Sequence, residues 1–488
     1  MGNPRKMLAG VLCVSMLAVF NAAPVLGAKP GGGGSFAITV TGVQPTTYGY
    51  NTPATTNSSI GANEGCGRFA VSDLTELGLT NYRLYGGASR FEPTDDDGVY
   101  GSPDIPSIKA NPNVINWAAW DTQFNRTDGY FWALKTNEAS VRASDMLAAL
   151  DSANIDVVLA LRPRDNNNTP SWIPAVPISN QADQNEWWEH VFATVYYVNV
   201  LHNWNVDRWE IHNEPNQNGQ GWLDNGGSIS EYITFVQQTA DAINYVYTTY
   251  LNNRPHYVHS PVVSGNPNRK QWVPQVMSAN DSLINVFDYH WYGSNQSSIA
   301  AGYIDTLVAN NPDGVLEPMW NSEWGTYSSS YNTVSAALGY GDQLLQMNLP
   351  TSRVDGSDIF SMYYWGSAEG LVRDDGTKQE TFYALKTMVP ALQNAKPVYS
   401  VTGSIPSSVK VFASKDATGF YVLVVNRGTG SVTQTVTANV SAHRSSGTGT
   451  LTEYSAANKA VVVSSPAVSG GSVTFTSPAN SIVVLRVP

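Results

Sequence analysis

Between residues 68 and 391 the apolar positions switch repeatedly between short continuous runs and helical spacing. Phe69, Leu74 and Leu77 share one helical face, and Gly78 is a stop. Asn81–Tyr85 is a short strand ended by Gly86 and Gly87. Val141, Met146, Leu147 and Leu150 line a helix over 139–154. Ile155–Arg162 follows as a nearly unbroken apolar run, the signature of a strand buried on both faces. A helix over 186–202 and a strand over 207–212 repeat the unit. Ser228 and Glu231 have capping-box spacing at the start of a helix reaching Tyr250. Further strands are expected at 261–265, 285–290, 319–325 and 358–365, and helices at 269–277, 299–308, 334–347 and 380–391. Such alternation predicts an α/β fold, a (β/α)8 TIM barrel. Its first strand is either Phe36–Val43 or part of the following segment; Tyr48–Gly67 reads as a polar, Gly-rich loop. The connection from Ala88 to Thr136, with Trp117, Trp120 and Trp132, is long enough to be a functional loop.

After Lys396 the composition changes. Short Val- and Thr-rich runs separated by Gly, Ser, Asn and Pro predict a C-terminal antiparallel β-sandwich. The expected organisation is a signal peptide over 1–28, a flexible leader over 29–35, a barrel over 36–393 and the sandwich over 394–488. Arg5 and Lys6, the apolar run Met7–Phe20 and the small residues Gly27 and Ala28 carry the signal-peptide reading, hence secretion. Cleavage leaves Cys66 alone, so no disulfide framework is expected.

Composition narrows the partners. A net charge of −12 without a basic stripe argues against nucleic acid and membrane surfaces. Fourteen Trp and 25 Tyr are many for this length; most are assigned to packing, the remainder to platforms for sugar rings. The seven His are scattered, so neither a catalytic metal nor a cofactor is expected. Asp95, Asp96 and Asp97 lack calcium-loop spacing and read as a solvated turn.

Two carboxylates stand out. The strand ending at His212 runs into Asn213-Glu214-Pro215, where Pro215 cannot continue a ladder and biases Glu214 toward extended backbone. The strand at 319–325 carries Glu323. Barrels hold their chemistry at strand C-termini, and two carboxyl groups about 5 Å apart cleave a glycosidic bond with retention. The acid of such a pair is expected to have a raised pKa, its partner to stay ionised.

Asn213-Glu214-Pro215 ending the fourth strand, with Glu323 ending the seventh, resembles glycoside hydrolase clan A over the barrel. The resemblance implies a retaining double displacement with Glu214 as acid/base and Glu323 as nucleophile. It implies that Asn213 binds the hydroxyl beside the anomeric carbon and that Arg83 supports the nucleophile. His290 and Tyr292 would line the −1 subsite and hydrogen-bond the nucleophile, and Trp365 would floor it. Trp324 is placed with the substrate-binding residues; Tyr85 is as readily packing as site. Barrel and sandwich together are similar to family 39, family 30 and the β-agarase/porphyranase family 86. Arg90, Arg162 and Arg164 would meet sulfate or carboxylate groups, or are solvated surface arginines. The expected activity is a secreted, monomeric, endo-acting hydrolase of a β-linked polysaccharide, either an algal galactan or a plant-type glycan. The alternatives are an exo-acting β-xylosidase- or β-galactosidase-like enzyme and a non-catalytic carbohydrate-binding protein.

Overall fold

The computed structural model describes residues 33–45, 54–65, 68–93, 99–126, 141–163, 173–265, 271–310, 312, 316–326, 331–352, 354–363, 370–428 and 430–488. The signal-peptide and most of the leader expectation, Cys66, Asp95–Asp97, Trp132, Arg164 and Trp365 lie outside them.

Strand β1 (Gly34–Val43) is followed by β2 (Ser59–Asn63), β3 (Asn81–Gly87), β4 (Asp156–Arg162), β5 (Arg208–Ile211), β6 (Tyr257–Ser264), β7 (Val286–Tyr292), β8 (Met319–Gly325) and β9 (Val354–Ile359). β2 to β9 close into a barrel in sequence order, β9 pairing back on β2, with every pair parallel. The (β/α)8 expectation therefore holds. Glu214 follows the fourth barrel strand and Glu323 lies on the seventh.

Two boundaries change. The first barrel strand is β2, which lies in the segment after Val43 as the second alternative had it, within the stretch also read as a loop. Its sequence Ser-Ile-Gly-Ala-Asn is too short and small for a clear apolar period, yet all five residues are buried. β1 leaves the barrel altogether: it pairs with β10 (Tyr399–Gly403) and, in parallel, with β13 (Gln434–Asn439). Phe36, Ile38 and Val40 alternate inward and fill the sandwich core, so the barrel does not begin at residue 36.

The sandwich adds β11 (Val409–Asp416), β12 (Gly419–Asn426), β14 (Ser446–Thr448), β15 (Thr450–Tyr454), β16 (Lys459–Ser464), β17 (Ala467–Ser469), β18 (Ser472–Ser477) and β19 (Ser481–Val487). One sheet has the order β10-β1-β13-β18-β17-β14, the other β11-β12-β19-β15-β16. β12 is buried at every position. Phe420, Val422 and Val424 face the sandwich core, while Tyr421, Leu423 and Val425 join the barrel's core. That double burial explains why β12 is apolar throughout rather than alternating. The helix Glu380–Leu392 lies beneath this sheet, and Tyr454 donates to Glu380 at 2.7 Å.

The connection after β3 is packed rather than open where it is described. Phe91, Trp120 and Phe124 are buried, and Trp117 stacks on Tyr196 of the helix Gln181–Tyr196 at 5.1 Å. These aromatics brace the helical shell and are not available as sugar platforms. Inside the barrel, the Trp320 indole fills the lower lumen beside Val158 and Val286. Gly356 makes room for it, since a Cβ there would overlap the ring. Among the described residues no helix is long and apolar enough to cross a membrane.

Candidate active site

Strand parity selects which side chains enter the barrel mouth. On β3, Arg83 and Tyr85 share one face, and on β7 His290 and Tyr292 do the same. On β8 the register shifts between Asn321 and Trp324, so Ser322 and Glu323 both project inward while Trp324 points the other way. It is 0% exposed and packs on Tyr340 in the core, ring centroids 6.1 Å apart. Trp324 is therefore corrected from a substrate contact to a core residue. Tyr85 takes the opposite course: its hydroxyl donates to Glu323 Oε1 at 2.6 Å.

Glu214 reaches the site by a turn. β5 ends at Ile211, and His212 and Glu214 have φ of 71° and 46°. Glu214 is thus left-handed, not extended as Pro215 alone would favour. Gln217 N–H donates to the Glu214 carbonyl at 2.9 Å and closes the turn. Left-handed backbone at a residue with a Cβ costs about 1–3 kcal/mol and persists where surrounding contacts hold it. The turn brings Asn213 and Glu214 to the mouth together, while His212 is buried among Trp222, Tyr232 and Phe235.

One oxygen each of Glu214 and Glu323 and a ring nitrogen of His290 all lie within 4.8 Å of one another. Around Glu323 the donors are dense. Arg83 Nη1 donates to Oε1 at 2.8 Å and Tyr292 donates to Oε2 at 2.8 Å. Arg83 is wholly buried and is held from behind by Glu210, at 2.9 and 2.7 Å from Nε. It also donates to Asn63 Oδ1 at 2.7 Å and to Asn213 Oδ1 at 2.9 Å. The Asn213 amide nitrogen donates one hydrogen to Gln220 at 3.0 Å, and among the described residues its second hydrogen has no acceptor.

His290 differs from its expected part. Its Nδ1 lies 3.0 Å from Glu214 Oε1 and 3.5 Å from Glu323 Oε2, so its hydrogen bond goes to Glu214 rather than to the nucleophile candidate. Nε2 lies 3.1 Å from Ser322 Oγ. Burial alone would push Glu323 up. The His290 and Arg83 charges and the two tyrosine hydroxyls outweigh it and hold Glu323 down to about 2. Burial and the Glu323 charge raise both Tyr85 and Tyr292 far above ordinary phenols, so each remains a donor.

These donors give a pH prediction. A carboxylate whose pKa is depressed in the fold stays ionised until pH falls through that depressed value. Removing donors raises the value, so the acid limb of kcat/KM moves to higher pH. Each hydrogen bond to a charged group is worth enough to shift a pKa by about one unit. The variant Tyr85→Phe/Tyr292→Phe is expected to move the acid limb up by about two pH units. A pH–rate profile checks this.

Two clusters have donor types that a divalent cation takes: Glu214–His290–Glu323 and, deeper, Glu210–His259–Asp288. In both, donors are already engaged by the protein. Glu210 and Glu323 pair with Arg83, and Asp288 accepts from Ser322 at 2.7 Å. A cation there would also face the Arg83 guanidinium.

Two of the three arginines read as sulfate contacts, Arg90 and Arg162, are buried. Arg90 is 3% exposed and ion-pairs with Glu64 at 2.5 Å; Arg162 is 4% exposed and lies over the Tyr85 ring at 5.5 Å. The strand expected to reach Trp365 ends at Ile359, and the next residue, Phe360, meets the Tyr292 ring edge-on at 6.0 Å.

No family model matches the sequence, and no curated protein matches it. Solved structures do match. A glucosidase from Croceicoccus marinus superposes with a TM-score of 0.66 at 13% identity, over 93% of this chain and 98% of that one. The likeness is one of fold. A GH30 endoxylanase from Clostridium papyrosolvens matches with a TM-score of 0.59 at 15% identity, covering 93% of this chain and 99% of that chain. A GH39 β-xylosidase from Caulobacter crescentus matches with a TM-score of 0.60 at 12% identity, with the same coverage of 93% and 99%. Families 30 and 39, to which the sequence bears a resemblance, thus share both the barrel and the trailing sandwich with this chain.

Proposed function

We propose that the protein is a retaining glycoside hydrolase acting on a β-linked glycan. The observation that carries this reading is the Glu214–Glu323 pair, with oxygens within 4.8 Å across the C-terminal mouth of the barrel. Inverting enzymes need a gap of roughly 6.5–9.5 Å between carboxyl groups to seat a water; retaining ones need about 5 Å. In the proposed reaction Glu323, ionised beside Arg83, attacks the anomeric carbon. Glu214 gives its proton to the departing oxygen. A glycosyl ester on Glu323 results, and Glu214, now a carboxylate, takes a proton from the water that attacks it. The spare amide hydrogen of Asn213 would hold the sugar hydroxyl beside the reacting carbon.

Of the two glycan classes, the plant type is favoured. Burial of Arg90 and Arg162 removes the described support for a sulfated galactan. The similar structures named above are a glucosidase, an endoxylanase and a β-xylosidase. Endo action on xylan or a β-glucan is the reading carried forward, with an exo-acting xylosidase as the second. Secretion rests on the N-terminal sequence.

The test is hydrolysis of a panel containing xylan, β-glucans, mannan, agarose, porphyran and carrageenan, read by reducing ends and product size. The anomer released first should be β. An α product would replace the mechanism with inversion, and unsaturated ends absorbing in the ultraviolet would make the protein a lyase.

A further inference from the structure

Beneath the two glutamates a second line of side chains leads away from Glu214. His290 Nδ1 meets Glu214 at 3.0 Å, and His290 Nε2 meets Ser322 Oγ at 3.1 Å. Ser322 Oγ donates to Asp288 Oδ1 at 2.7 Å, and the Ser322 N–H points to the same oxygen at 3.2 Å. Asp288 Oδ2 lies 3.0 Å from His259 Nδ1. Asp288, Ser322 and His259 are 0% exposed, and neither Ser322 nor Asp288 has a part in the mechanism above.

The direction of this chain follows from where the hydrogens go. A serine hydroxyl has one, and with Asp288 ionised it goes to Oδ1, the oxygen that the Ser322 N–H also meets. Burial raises the Asp288 pKa, while the His290 and Arg83 charges and the Ser322 hydroxyl act to keep it ionised. The Ser322 oxygen is left only as an acceptor, and the group facing it must bring a hydrogen. That group is His290 Nε2. Nδ1 is then the nitrogen that faces Glu214 with either a lone pair or a second proton. In the first state it accepts from a protonated Glu214; in the second it donates to the Glu214 carboxylate.

We propose that Asp288 and Ser322 are positioning residues that hold His290 in its Nε2–H form and thereby aim Nδ1 at the acid/base proton of Glu214. This deepens the hydrolase reading and rests on it. The charged groups facing His290 are Glu214, Glu323 and Arg83 at the mouth, with Asp288 below. Burial opposes a charged ring, but the two glutamates win and raise the His290 pKa above its ordinary value. The second proton is thus readily held at Nδ1, 3.0 Å from Glu214 Oε1. The acid proton can rest on either side of that contact, provided Nε2 stays protonated.

Ser322→Ala removes the acceptor for Nε2–H while leaving the strand backbone and its N–H to Asp288. The test uses the full chain labelled with ¹⁵N in histidine, with the His290 signals assigned by difference against His290→Gln. Above the ring's titration, the wild type should show a protonated Nε2 and a bare Nδ1. Ser322→Ala should redistribute the proton between the two nitrogens. A bare Nε2 in the wild type, or an unchanged ring spectrum in Ser322→Ala, overturns the proposal. On the enzymatic side, Ser322→Ala should lower kcat/KM roughly 10- to 100-fold for an oligosaccharide leaving group, part of the contribution a general acid makes. It should cost far less for a 2,4-dinitrophenyl glycoside, which departs without protonation, and the basic limb of the pH profile should shift. Equal losses on both substrates with an unmoved limb would mark Ser322 as merely structural and also overturn it. If the wild type cleaves no glycoside, the hydrolase reading fails, and the ring spectra still decide the tautomer.

Discussion

Glu323→Ala protein is expected to lose glycosidase turnover by roughly 10⁴- to 10⁶-fold, the scale seen when a member of a covalent catalytic unit is removed. This is about 5–8 kcal/mol of transition-state stabilisation. The expectation follows from where the charge is held. Four groups (Arg83, His290, Tyr85 and Tyr292) surround the carboxylate and keep it ionised against burial. The acidic side chains nearest to it are engaged elsewhere, Glu214 with His290 and Glu210 behind Arg83, so neither replaces it. External azide should enter the vacated space and attack the anomeric carbon of an activated β-glycoside. The product would then be the α-glycosyl azide, with the leaving group departing as its anion. Rates and product configuration are read by chromatography and NMR. Turnover by Glu323→Ala at the wild-type rate without azide would remove Glu323 from the mechanism.

Arg83→Met should destabilise the fold by roughly 3–5 kcal/mol, because it leaves a buried carboxylate without its cation. Glu210 is 0% exposed and its pair with Arg83 spans 2.7 Å. Typical domains are stable by only about 5–15 kcal/mol, so the loss should be plain in urea unfolding. Arg83→Met/Glu210→Met removes both charges and should recover most of that stability. It should not recover activity, because Glu323 and Asn213 still lack the guanidinium that joins them. A single variant as stable as the wild type would show that Glu210 takes up a proton or reaches water once its cation is gone, and so is not left as an unpaired buried charge.

Much of the site was legible in the chain. Glu214 and Glu323 stand out because each closes an apolar run with a carboxylate, and Arg83 because it is a lone cation in a short strand. Tyr85 could have been read by the same means. It is two residues from Arg83, so on a strand it must share Arg83's face. Trp324 could not be read that way, because the register of β8 shifts between Asn321 and Trp324 and spacing alone does not give its face. Asn63 had no such signal, because β2 is too short to show a period.

Local sequence determined the alternation of strands and helices, the Ser228 capping box and the two glutamates, since each rests on propensity or spacing within a few residues. Only the tertiary structure decided that β1 pairs into the sandwich, that Arg90 and Arg162 are buried, and that His290 faces Glu214. Those outcomes depend on partners 26 to more than 360 residues away, such as Glu64 for Arg90 and Thr402 for Thr39. Burial and pairing of that kind are properties of the closed barrel and packed sheets, and no local pattern of residues encodes them.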